Sequence, residues 1–244
     1  MALRPSGVFN YRYSQDMAVI RTKPQWLTFA LFLLALAVFP FFASQYIMGV
    51  AITIAIYIVA AMGLNIITGF TGLISMANSA FMAIGAFTTG VITVKLGLSH
   101  WIALPFAGLI AGLVGVFFGV ASFRVKGLYL ALITIGAQFI IMYVLLHWNS
   151  LTGGVTGLSI TPPNIGSFAF DSNRSLYFLS LVTCIVVVYL ARNIARSKVG
   201  RAFIAVRDND VAAEVMGVNV RAYKTLSFFV GCFFTGIGGW LWCI

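Results

Sequence analysis

Residues 46–67 read YIMGVAITIAIYIVAAMGLNII, without a single Asp, Glu, Lys or Arg. Wound as an α-helix at 1.5 Å per residue, the run reaches about 33 Å. That is enough to cross a hydrocarbon core about 30 Å thick. A helix also satisfies every backbone polar group internally, which lipid demands. Six more apolar segments are close to the same length: 26–43, 80–94, 101–123, 128–148, 176–191 and 225–244. Charged residues make up only 8% of the chain and hydrophobic residues 61%, whereas an ordinary soluble domain carries about 25% charge. The fold class is therefore all-α, a polytopic membrane protein with about seven transmembrane helices. Residues 1–25 form an N-terminal tail and residues 26–244 a transmembrane domain. The chain stops at Ile244 inside an apolar run, so truncation at the C-terminus is expected.

The third segment is short. The stretch before it, GFTGLISMANSA (69–80), is rich in Gly, Ser and Asn. It predicts a broken or re-entrant element, tolerated only where protein or water satisfies its polar groups.

Charge sets the orientation. Placing the N-terminus in the cytoplasm puts Arg4, Arg12, Arg21, Lys23, Arg124 and Lys126 inside. It also places inside the seven basic residues of one polar island, 192–224. Only Lys95 and Arg174 remain outside. This asymmetry is the positive-inside pattern of an inner-membrane protein. It makes 149–175 a periplasmic loop and 192–224 a cytoplasmic one. The net charge of +10 then reflects inner loops beside membrane lipid, not a nucleic-acid partner. Cys184, Cys232 and Cys243 all lie in apolar runs and read as packing residues, with no disulfide framework.

The spans carry no clear ionisable residue within their cores, so the chain has no group with which to ride a proton gradient. It has no phosphate-binding GxxxxGK[ST] loop, HExxH or Ser/His/Asp set. No cofactor or metal is implied, and His100 and His147 sit at membrane borders. A transporter subunit rather than an enzyme is expected, and energy for transport has to come from a partner. Gly108, Gly112, Gly115 and Gly119 fall on one helix face, a surface for close helix packing. Among the few polar residues in the spans, Asn65, Asn78 and Gln138 are candidates to line a pathway for a neutral or zwitterionic solute. Helix-to-helix hydrogen bonding is the slightly favoured role for any one of them.

Within the island, Ala212, Ala213 and Gly217 form AAxxxG. Asp208 or Asn209 can cap a short helix, and Gly217 can end it in a left-handed turn. A second basic segment follows through Arg221 and Lys224. A small-faced helix of this kind can dock into a groove on a partner.

AAxxxG in a long cytoplasmic loop resembles the EAA coupling loop of ABC importer permeases, with Val211 in place of the first Glu and Asp210 just before it. The fuller stretch AVRDNDVAAEVMGVNV (205–220) is similar to the LivM type of branched-chain amino acid permease. So are GLNIITGFTGLISMANSAFMAIGAF (63–87) and GLYLALITIGAQFIIMYVLLHWNSLTGGVTGL (127–158). The resemblance runs from about Gly63 to the end. Ala77-Asn78 departs from a Gly-His common in relatives, and Phe139 and Met142 are apolar where relatives often carry charge. The resemblance implies two ATP-binding cassette subunits, a second permease of the LivH type and a periplasmic substrate-binding protein. By it, Ala212, Ala213, Glu214 and Gly217 dock, while Arg207, Asp208 and Asp210 orient the loop. Leucine, isoleucine and valine are the implied substrates, with urea, short amides or other amino acids as alternatives. From another class, a self-contained channel for small neutral solutes fits the uncharged spans, and a structural subunit with no pathway of its own fits them less well.

Overall fold

A computed structural model describes residues 23–123, 125, 127–160, 162–165, 168–170 and 172–244. Arg4, Arg12, Arg21, Arg124 and Lys126, which weigh in the charge count, lie outside the described residues. The chain divides into two units, 1–44 and 45–244. In the first, one apolar helix, α1 (Lys23–Phe42), begins three residues before the predicted span.

The second unit is a helical bundle. Its elements are α2 (Gln45–Leu64, continued by a π-helical segment, Asn65–Phe70), α3 (Asn78–Gly90, continued by Val91–Lys95) and α4 (His100–Ala121). Then come α5 (Leu128–His147), a single turn α6 (Asn149–Thr152), and a minimal hairpin pairing Asn164–Ile165 with Phe168–Ala169. The remainder is α7 (Asn173–Arg196), α8 (Lys198–Asp208), α9 (Asp210–Val215) and α10 (Val220–Trp242). Among the described residues, five helices are long and apolar enough to cross a membrane: α2 with its π segment, α4, α5, α7 and α10. The protein is thus an all-helical polytopic membrane protein. Of the seven predicted segments, the first is the shorter helix α1 and the third is α3 with its π continuation.

Helix α10 is the centre of the bundle. Its most apolar stretch is 67% buried, against 39% or less in the other four spanning helices. Glycine makes this possible. A Cβ on Gly108, Gly112, Gly115 or Gly119 of α4 would meet Phe233, Phe229, Cys232 and Thr225 of α10, respectively. In return, Gly231, Gly236 and Gly239 of α10 abut α2, α4 and α3. The helices therefore approach backbone to backbone, the arrangement that gives dispersion its largest return in a membrane.

Residues 71–77, between α2 and α3, are not helical. Two of their backbone N–H groups are taken up by neighbouring helices, while Ser75 Oγ is buried without a hydrogen-bond partner. Leu73 N donates to Ile67 O at 3.1 Å, and Met76 N to Thr134 Oγ1 of α5 at 3.0 Å. At the start of α3, Asn78 Nδ2 donates to Ala60 O of α2 (3.3 Å) and Oδ1 accepts from Thr235 of α10 (2.9 Å). The irregular segment is thereby tied to α2, α5 and α10, with Gly72 and Met76 exposed.

The bundle has two distinct ends. At one, Trp101 Nε1 donates to Asn164 O (3.1 Å), Trp240 Nε1 to His100 O (3.0 Å) and Lys95 Nζ to Ser150 O. At the other, Arg207 reaches Gly69. Segments 149–172 and 197–219 thus sit at opposite ends.

The island 192–224 holds the expected short helix and more. Helix α7 runs on to Arg196, α8 and α9 fill most of the island, and α10 starts at Val220. Charge ends an apolar run, but it does not end a helix.

Replacing Gly115 by Leu drives side-chain carbon into Cys232, because even a Cβ there would lie 2.5 Å from Cys232 Sγ. A loss on the order of 1–3 kcal/mol is expected for such overpacking. Thermal aggregation of the detergent-purified protein measures it, and an unchanged midpoint would show that α4 and α10 do not meet on this face.

Candidate docking surface

The island is built from four helix caps. Ser197 Oγ accepts from Val199 N and Gly200 N (3.2 and 3.3 Å), turning the chain from α7 into α8. Helix α8 is amphipathic and buries Gly200, Phe203 and Val206, with Phe203 edge-on to Tyr223 of α10. Asn209 has an extended backbone, and its Oδ1 accepts from Val211 N (3.1 Å) and Ala212 N (3.0 Å). Of the two cap candidates, Asn209 caps α9, whereas Asp208 Oδ1 accepts from Arg207 Nε and Nη2, both at 3.1 Å.

Helix α9 ends where Gly217 takes φ +86°. Val218 N returns to Ala213 O and Gly217 N to Glu214 O, both at 3.0 Å. These are the paired bonds of a Schellman ending, in which glycine avoids the steric cost of a left-handed backbone. Asn219 Oδ1 then accepts from Ala222 N to start α10 (3.1 Å).

One ion pair ties α9 to the bundle. Lys224 Nζ, on a side chain only 6% exposed, lies 3.3 Å from Asp210 Oδ2. Beneath the helix, Ala213 packs with Val206 and Val220.

The outer face of α9 is apolar and open. Val211 is 66% exposed, Val215 83% and Met216 84%. Ala212, Glu214 and Gly217 are exposed beside them, and Arg207, Asp208 and Arg221 are exposed nearby. The structure therefore separates the four residues assigned to docking. Ala212, Glu214 and Gly217 lie outward, whereas Ala213 turns inward and serves as the floor on which α9 rests. Reading AAxxxG missed Val211, Val215 and Met216. The available signal was three apolar side chains at i, i+4 and i+5 within an otherwise charged island.

The pathway candidates are not assembled into one site. Asn65 is exposed, with Oδ1 against Gly69 of the same π segment. Asn78 is occupied in bridging α2 and α10, and Gln138 is half-buried on α5. A cavity of about 410 Å³ at the end away from the island is lined by Tyr57, Ser79, Met82, Gly90, Trp242 and Cys243, among others. A larger one, about 590 Å³, lies among the apolar side chains of α3, α4 and α5. Asn65, Asn78 and Gln138 line neither. Among the described residues there is no cluster of His, Cys, Asp and Glu able to hold a metal ion.

Residues 46–243 match the family described as branched-chain amino acid transport system / permease component. The chain belongs to this permease family. It is 31% identical over 236 residues to the high-affinity branched-chain amino acid transport system permease protein LivM of Escherichia coli (strain K12), an alignment covering 87% of this chain and 55% of that protein. Against the protein of the same name from Salmonella typhimurium it is 30% identical over 239 residues, covering 86% and 56%. The chain spans about half the length of the curated relatives it matches. No solved structure matches it. As a member of this family it is a membrane-embedded permease component. The family match also takes in the whole of α8, α9 and the turn after them.

Asp210→Asn in this permease leaves the Lys224 ammonium buried without its partner charge. The expected loss is on the order of 2–3 kcal/mol, below that of a fully enclosed pair because Asp210 keeps some water. A chemical-denaturation or thermal-shift comparison with wild type checks it, and equal stability would show the pair to be energetically idle.

Proposed function

We propose that this permease forms part of the import pathway for branched-chain amino acids or close analogues, and that α9 couples it to ATP-binding subunits in the cytoplasm. One observation carries the reading. A six-residue helix, capped at both ends and pinned by a buried ion pair, holds three apolar side chains out into water. Burying such side chains is favourable at about 25 cal/mol per Å² of apolar area, so the surface suits a groove on a partner. Glu214, Arg221 and Asp208 around it supply a charged rim that fixes orientation more than affinity.

The chemistry of the spans supports the same division of labour. With no clear ionisable residue in their cores, the membrane helices offer nothing for a proton gradient to act on. ATP bound and hydrolysed on two separate cassette subunits would move α9, and with it the helices it is joined to. Segment 149–172 at the far end of the bundle would face the periplasm and receive substrate from a binding protein. The seven basic residues of the island support a cytoplasmic position for that end in an inner-membrane protein. A second permease of the LivH type would supply the other half of the pathway. The branched-chain substrate rests on the names of the two relatives and on the neutral character of the spans.

Val215→Asp combined with Met216→Asp tests the coupling role. Both positions face water, so insertion and stability should be unchanged. ATP-dependent uptake of leucine by vesicles carrying the full transporter should fall by about 100-fold or more, since a desolvated unpaired charge costs several kcal/mol at an interface. Uptake at the wild-type rate would remove α9 from the coupling path. Leucine flux through the permease reconstituted without ATP-binding subunits would favour a self-contained channel instead.

A further inference from the structure

We infer that Arg207 is the positioning residue that carries movement of the docked α9 into the broken segment 71–77. The inference rests on the docking role of α9 proposed above. Arg207 stands one residue inside the end of α8 and two before the Asn209 cap. All three of its guanidinium nitrogens are engaged. Nε and Nη2 donate to Asp208 Oδ1 at 3.1 Å each, and Nη1 donates to Gly69 O at 3.0 Å. Asp208 thus holds the planar fork while the remaining nitrogen crosses to another part of the chain, a use of Arg that a lysine ammonium reproduces poorly.

What Arg207 touches makes the contact more than a surface bond. Gly69 lies in the π-helical end of α2, and π-helical turns are frequent at functional sites. Three residues on, Gly72 has φ +67°, and the Arg207 stem lies over it. A Cβ on Gly72 would sit 2.7 Å from Arg207 Cγ. Gly72 leads directly into the non-helical stretch whose Met76 N bonds to α5 and which delivers Asn78 to α2 and α10. From Arg207, a displacement therefore reaches three spanning helices within one short stretch of chain, 69–78.

The covalent routes out of the island are less direct. Helix α8 is separated from α7 by the Ser197 cap, and α9 from α10 by the Gly217 turn and the Asn219 cap. Breaks of this kind absorb φ/ψ change as hinges do. The pair is also held to α10 by Phe203 against Tyr223 and by the Asp210–Lys224 pair, and it does not move without also pulling on Gly69 and pressing on Gly72. The two-sided contact, a hydrogen bond on one glycine and packing on the other, transmits motion in both directions.

The test uses the complete transporter, with ATP-binding subunits and binding protein, in sealed vesicles. It measures leucine moved and ATP hydrolysed in the same sample. Arg207→Gln should lower uptake about tenfold while hydrolysis stays within about twofold of wild type, so the ATP used per leucine rises about fivefold or more. Gly72→Ala, which displaces the Arg207 stem, should reproduce that rise. Arg207→Lys keeps a donor for Gly69 O and should recover part of the loss. Arg201→Ala, which removes an exposed cation bonded only locally to Arg196 O, should leave the ratio at the wild-type value.

Uptake and hydrolysis falling in proportion in both Arg207→Gln and Gly72→Ala would overturn the inference. So would full uptake by Arg207→Gln. Should Arg207→Gln fail to assemble, the ratio in Gly72→Ala and Arg207→Lys decides. Failure of the docking role itself is distinguishable, because then Val215→Asp combined with Met216→Asp would leave uptake at the wild-type rate.

Discussion

Lipid offers no hydrogen bonds, and everything in this molecule follows from that. Each backbone N–H and C=O in the hydrocarbon must find a partner within the protein. Five long helices meet the demand locally. The non-helical residues 71–77 meet it only because Thr134, Ala60 and Thr235 stand around them and their neighbour Asn78. Those helices can stand so close because α10 and α4 present glycine to one another. Without Gly108, Gly112, Gly115 and Gly119 facing Phe228, Phe229, Cys232 and Phe233, α10 would be held away from the centre. The irregular segment would then lose one of its enclosing walls.

The same constraint pushes charge to the ends of the bundle, where it is put to different uses. At the end bearing 149–172, tryptophan indoles bond to backbone carbonyls and tie the loop to α4 and α4 to α10. At the other, Ser197, Asn209, Gly217 and Asn219 cut the chain into short capped helices. The Asp210–Lys224 pair and Ala213 hold α9 in place, leaving Val211, Val215 and Met216 in water. A small helix keeps such side chains exposed only if other groups fix it, and here those groups are an ion pair, two caps and an alanine floor.

Much of this was legible in the sequence, and the gaps have physical causes. Uncharged runs such as 46–67 revealed the spans, because length and composition alone decide whether a helix can cross. Gly69 to Asn78 revealed the break, because Gly, Ser and Asn weaken helix and satisfy irregular backbone. Gly217 revealed the end of α9 for the same local reason. Helix α8 was hidden. Its burial of Phe203 and Val206 depends on Tyr223 and Val220 from a distant part of the chain, and its charges read as loop. The inward turn of Ala213 was not legible because a six-residue helix has too few positions to show its own orientation. Helix-to-helix hydrogen bonding was the favoured role for Asn78, but its partner Thr235, like Gly69 for Arg207, was invisible because it lies far off in sequence.

The central claim is that α9 is covered by an ATP-binding subunit, and labelling of its face tests that most directly. Cysteine placed singly at Val215 and at Met216, in a chain whose native cysteines are replaced, would be treated with a membrane-impermeant maleimide in inside-out vesicles. Rapid labelling of the permease alone, and strong protection once the ATP-binding subunits are added, is the expected result. Equal labelling with and without those subunits would contradict docking on this surface.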